Sequence, residues 1–175
     1  MIVEEDNSNE EFNRLAFHVL KDHQTIHLDI RSEVMSMMIA AERLNSEVNL
    51  YKVTRKSCVI MFFTLIEFDL YFLGKISRIN RNTKVENFGE DSREVFKNFF
   101  RAKGKQKIID EYFDKECDFL NRLKIARDRF TCPRELKDLK LSENFNEKLR
   151  MHFFRYCTLF EGLMNEFYKN HDYNL

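Results

Sequence analysis

From Phe12 onward, apolar or aromatic positions recur at steps of three and four: Phe12, Leu15, Val19, His23, Ile26, Ile30, Val34, Met37, Ala41, Leu44 and Val48. That spacing is one stripe of a long helix, and no Gly or Pro interrupts it. A second helix is predicted from about Val53 to Ile79, apolar nearly all round between Cys58 and Leu73. A helix without a polar face belongs at the centre of a bundle, covered on several sides. Residues 80–91 are polar and read as a loop. Asp91 or Ser92 then caps a short helix carrying Val95, Phe96, Phe99 and Phe100, with Glu94 three residues after Asp91. Gly104 stands where a left-handed C-terminal residue is expected.

A fourth helix is predicted from about Lys105, with the stripe Ile109, Phe113, Glu116/Cys117, Leu120, Leu123 and Arg127. Pro133 disfavours helix at Cys132 and so ends it. The last helix opens near Ser142 and carries Phe145, Leu149, Phe153, Tyr156, Phe160, Leu163 and Phe167. The expected fold is all-α, a single bundle of four to five helices over residues 10–170, with an acidic flexible tail at 1–9 and a short one at 171–175.

Composition narrows the field. The 175 residues carry 29 Lys+Arg against 29 Asp+Glu, which excludes a strongly basic nucleic-acid coat while leaving room for a local basic patch. Four Gly and one Pro are too few for the turns of an all-β fold or for a glycine-rich phosphate loop. Eighteen Phe can fill a core, so wholesale disorder is excluded as well. Cys58, Cys117, Cys132 and Cys157 form no CxxC pair, and free thiols in a reducing cytoplasm are expected. The N-terminus is acidic where a signal peptide would be basic. The stretch from Cys58 to Leu73 is short and contains Glu67 and Asp69, so it reads as a buried helix and no membrane contact is expected.

One position resists a packing explanation. The stripe of the fourth helix continues past Leu123 to Arg127, a permanent cation on the core-facing side. Such a guanidinium needs a carboxylate, a carbonyl or a ligand phosphate to offset its desolvation. The plain solution is that it snorkels off the helix end or pairs with an acid, Glu67 or Asp69 on the central helix being candidates.

The run Leu123-Lys-Ile-Ala-Arg-Asp-Arg-Phe-Thr-Cys-Pro133 resembles the signature of HEPN domains, small helical bundles of prokaryotic toxin–antitoxin, phage-exclusion and CRISPR-linked systems. Arg127 matches the motif arginine, Asp128 the polar residue after it and Pro133 the proline that often follows. The motif histidine is replaced by Cys132. The resemblance implies a homodimer whose two motifs share a cleft and cut RNA without a metal. In that chemistry an imidazole moves a proton near neutral pH while arginine stabilises the phosphorane. Glu67 or Asp69 would orient the arginine, and His152 on the last helix would substitute for the lost imidazole if it reaches Arg127. A thiol is a poor proton shuttle. The expectation is therefore a catalytically degenerate, cytoplasmic binding or regulatory subunit, with a toxin, antitoxin or defence protein as possible partner. An active metal-independent endoribonuclease and a helical adaptor unrelated to RNA are the alternatives. A thiolate at Cys132 activated by Arg127, Arg129 and Arg134 would make a redox-sensitive site.

Arg129, Arg134, Lys103 and Lys105 are the candidate RNA contacts. The last two belong to a basic segment from Lys97 to Lys107, interleaved with Phe99 and Phe100, whose lysines otherwise form an exposed face. His23 and His27 have the one-turn spacing of a metal pair, but His23 lies on the apolar stripe and no third ligand is evident. Core or surface histidines are expected there, and neither a metal nor a cofactor. The length of the first stripe favours self-association through that helix.

Overall fold

The computed structural model describes residues 4–44, 48–76, 87–101, 103–135 and 143–170. Five helices account for them: α1 (Glu4–Arg43), α2 (Val48–Ile76), α3 (Phe88–Phe99), α4 (Lys103–Thr131) and α5 (Glu143–Asn170). All the secondary structure among the described residues is helical, so the chain is an all-α bundle.

Helix α2 packs against each of the other four helices. Its residues Cys58, Val59, Phe62, Phe63, Leu65, Ile66, Leu70 and Leu73 are all buried. This is the outcome its all-round apolar sequence calls for, since no face of it can be given to water without exposing apolar surface. By length and composition α2 also passes as a membrane-crossing helix, yet over half of that stretch (56%) is buried inside the protein.

Side-chain contacts give the directions. His23 stacks on Phe72 while Met38 and Ala41 line one small cavity with Arg55 and Cys58, so α1 and α2 are antiparallel. Glu67 meets Arg127 and Lys56 lies over Phe130, so α4 is antiparallel to α2. Phe62 meets Phe153 and Asp69 meets Tyr156, so α5 runs parallel to α2. The aromatic rings of Phe62, Phe96, Phe113, Phe153, Tyr156 and Phe160 form the centre of the core, largely edge to face. Such pairs add about 0.5–1.5 kcal/mol each beyond their area.

Several boundaries differ from the expected ones. The first stripe is divided between two helices, α1 ending at Arg43 and α2 beginning at Val48, so that the chain folds back as a hairpin. The three–four spacing survives the break, which is why periodicity alone does not reveal it. Helix α1 starts at Glu4, within the segment expected to be a tail. Helix α3 starts at Phe88, so the last residues of the expected 80–91 loop are helical, and residues 77–86 lie outside the described ones. The cap at Asp91 or Ser92 is thereby corrected. Both sit inside the helix, where Ser92 Oγ donates to Phe88 O at 2.6 Å. Gly104 is in the first turn of α4 rather than at the end of α3, whose C-cap is Phe100. Gly89 instead is the glycine the packing requires: a Cβ there would stand 2.8 Å from Cys117 Cα on α4. Ser142 lies outside the described residues.

Candidate functional site

The exit of α4 brings three of the expected residues together. Arg127 Nη2 donates to Glu67 Oε1 at 2.9 Å, and its Nε lies 3.3 Å from Asp128 Oδ1. The guanidinium carbon stands 4.3 Å from the centroid of Phe63, which supports it from below by a cation–π contact. Lys124, one turn earlier, reaches the other oxygen of Asp128 at 3.2 Å. Two cations and two carboxylates thus close a neutral group on the α2–α4 seam. The side chains of Arg127 and Glu67 are 24% and 46% exposed, so water screens the pair and it contributes no more than about 1 kcal/mol.

Asp69, the other acid considered for Arg127, takes no part. Two helical residues are separated by about 200° around the axis, so an acid at 69 faces away from one at 67. Cys132 follows the last turn of α4, exposed and unbonded to any other thiol, with its backbone N–H donating to Asp128 O at 2.9 Å. Arg129 and Arg134 are exposed at the same end.

The remaining candidates are elsewhere. His152 hydrogen-bonds a carboxylate oxygen of Glu116 through Nδ1 and stacks on Phe119 at 3.6 Å. Glu116 precedes Arg127 by eleven residues of α4, a rise of about 16 Å, so this partner keeps His152 from acting as the motif imidazole. Lys105 pairs with Glu166 of α5, and some 33 Å of helix separates it from Arg127. The side chain of Lys103 is outside the described residues. Lys97 is held by Asp110 at 2.9 Å and Lys107 by Glu111 at 3.8 Å. The basic segment is therefore laced with acids and does not extend the α4 exit into one phosphate-tracking face.

A second polar group lies inside the bundle. His23 and His27 of α1, Asp69 of α2 and Tyr156 of α5 are all buried. His27 Nδ1 approaches both oxygens of Asp69 at 2.9 and 3.0 Å, and Tyr156 Oη donates to Oδ2 at 2.7 Å. His23 places Nε2 3.1 Å from Oδ1, though without the alignment of a hydrogen bond. The imidazole of His23 is stacked between Phe68 and Phe72, and that of His27 lies on Phe160. A carboxylate sealed from water has a high desolvation cost, and three converging polar side chains offset it. Burial, reinforced by the Asp69 charge, pushes the Tyr156 phenol well above its ordinary range, so it remains a donor.

Beyond His27 the group continues toward the surface. His27 Nε2 lies 3.7 Å from Glu161 Oε1, and Arg31 Nε lies 2.9 Å from the same oxygen. Cys157 stands one turn before Glu161 on α5; burial and then the Glu161 charge raise its thiol to about 12, against the opposing pull of Arg31. The sequence singles out His23 and His27 but not Asp69 as their partner; it places Tyr156 on the last stripe and Cys157 among the free thiols without joining them to the group, and does not mark Glu161 or Arg31. The available signal was a lone Asp in the most apolar helix, which two stripe histidines could satisfy.

An open cleft of about 530 Å³ runs between α4 and α5, with Lys105, Tyr112, Glu116, Arg155 and Glu166 among its walls. Arg155 Nη1 donates to Glu116 Oε1 at 2.8 Å. Burial of Glu116 works against its charge, but hydrogen bonds from His152 and Arg155 prevail and hold the carboxyl below its ordinary range. Against known protein families, characterised proteins and solved structures alike, the chain shows no match.

Proposed function

We propose that the chain is a HEPN-like helical module, working in the cytoplasm as a homodimer, that binds a partner protein of a defence or toxin–antitoxin system and does not cut RNA. The observation that carries this reading is the state of Arg127. Its guanidinium is already engaged by Glu67 and Asp128, and a thiol occupies the place where the motif has an imidazole. A phosphate approaching this group would have to compete with two carboxylates at close range, in a cluster whose charges already cancel. His27 and His152 hydrogen-bond Asp69 and Glu116, away from the α4 exit, and His23 is stacked inside the bundle. The apolar side chains of Val19, Ile26, Val53 and Tyr71, exposed on α1 and α2, offer surface for association.

One detail favours the second reading, an active metal-independent endoribonuclease. Glu67 holds Arg127 from a preceding helix, as an orienting acid would. Labelled RNA incubated with purified protein and a chelator separates the two. Wild type is expected to leave the RNA intact, and cleavage that disappears in Arg127→Ala overturns the binding reading. Cleavage gained only by Cys132→His supports a degenerate motif at the α4 exit. Sedimentation of the wild type checks the dimer, and a monomer at tens of micromolar rules that part out.

A further inference from the structure

The outer end of the His27 group has an arrangement that hydrogen bonding leaves unfinished. His27 Nδ1 lies against both oxygens of Asp69, so its Nδ1–H donates there and Nε2 is the ring nitrogen turned toward α5. His27 is 1% exposed and its Nε2 has no hydrogen-bond partner. Glu161 Oε1 lies 3.7 Å beyond it, itself a buried acceptor that no aligned donor satisfies. Arg31 Nε lies beside that oxygen at 2.9 Å, but no aligned hydrogen bond joins it to His27 Nε2 3.7 Å away. The third atom there is Cys157 Sγ, and the three potential ligand atoms lie within 4.8 Å of one another.

We propose that His27 Nε2, Cys157 Sγ and a Glu161 carboxylate oxygen form a binding site for a divalent cation of the zinc class. A mixed nitrogen, sulfur and oxygen set suits a borderline-soft ion better than magnesium or calcium. Ligand atoms about 3.4 Å apart would surround a tetrahedral zinc ion, so modest rotation of the side chains closes the triangle. The Asp69–His27 contact is the carboxylate–imidazole support that metal-binding histidines characteristically have. Glu161, 30% exposed, connects the site to solvent, from which a water would supply the fourth ligand.

Charge counting agrees. Arg31 sets one cation against the two carboxylates of Glu161 and Asp69. A divalent cation bound to the Cys157 thiolate brings the group to zero, the thiol proton leaving to solvent. Arg31 then bridges to Glu161 from outside. The site differs from the His23–His27 pair that the one-turn spacing suggests: it uses only the second histidine, joined by Cys157 and Glu161, which are themselves one turn apart on α5.

The test uses the full chain, stripped with chelator and titrated with Co²⁺ and then Zn²⁺. One equivalent of Co²⁺ is expected to give thiolate-to-metal charge-transfer absorption, and Zn²⁺ to displace it and raise the Tm. Cys157→Ser should abolish the charge-transfer band, and Glu161→Gln should weaken binding at least tenfold. Cys132→Ser, at the exposed thiol of the α4 exit, should leave both unchanged. Because Cys157 is buried, circular dichroism must show that its variant folds; Glu161→Gln, nearer solvent, keeps the test decisive if it does not. Absence of the band in wild type, or a band and affinity unaltered by Glu161→Gln, overturns the proposal. A band lost in Cys132→Ser overturns it too.

Discussion

Glu67 and Asp69 are two residues apart on α2, and each receives a cation or a donor from another helix, yet the bundle uses them in opposite ways. Glu67 is 46% exposed and shares Arg127 with Asp128 in a hydrated group that either partner could leave at small cost. Asp69 is wholly buried and holds His27 and Tyr156, with His23 in contact. The first is an adjustable surface contact, and the second ties three helices to one carboxylate. The difference teaches that a motif-like arginine at a helix exit says less about this molecule than the buried acid on its most apolar helix. Helical geometry makes the difference, turning one acid toward α4 and the other toward α1 and α5.

The largest effect should come from removing the buried acceptor. Asp69→Ala leaves His27 and Tyr156 pointing at a void and is expected to cost about 3–5 kcal/mol, measured by urea unfolding. A loss below 1 kcal/mol would erase the contrast between the two acids. Tyr156→Phe deletes one donor to the same carboxylate at nearly constant volume, and about 1.5–3 kcal/mol should be lost. A smaller effect follows from Glu116, whose folded pKa is depressed. Its contribution is present above the unfolded value of about 4.3 and disappears as pH falls through the lower folded value. Stability should therefore fall on acidification below about pH 4.5, and Glu116→Gln should flatten that limb in denaturation curves taken from pH 6 downward. The smallest effect is assigned to Arg127→Met, at about 0–1 kcal/mol, because Glu67 stays hydrated when its partner is removed. A loss of several kcal/mol there, the value expected for a sealed pair, would put the α4 exit in the same class as Asp69.

Much of the bundle could be read without coordinates. Cys58–Leu73 had no polar face, so α2 had to be central; Pro133 had to end α4. The turn between α1 and α2 was hidden because Leu44 and Val48 keep the helical step across it. The start of α3 was hidden because Phe88 and Gly89 look like loop, whereas Gly89 is there to let α3 approach Cys117. At the α4 exit the ion pair was legible as one way to offset a cation on an apolar stripe, since two acids stood on the neighbouring helix.

The order of residues along the chain determined the fold class, the central helix and the need for something to neutralise Arg127, because these depend on periodicity and on the cost of burying charge. Which acid met which partner was decided only by the tertiary structure. Glu67 and Asp69 are equivalent as carboxylates and differ only in the direction they leave α2. That direction acquires meaning when α1, α4 and α5 are in place around it. The meeting of His27, Cys157 and Glu161 has the same origin: residues 130 positions apart become neighbours through the packing of α1 and α5 at the same end of α2, and no local pattern encodes that distance.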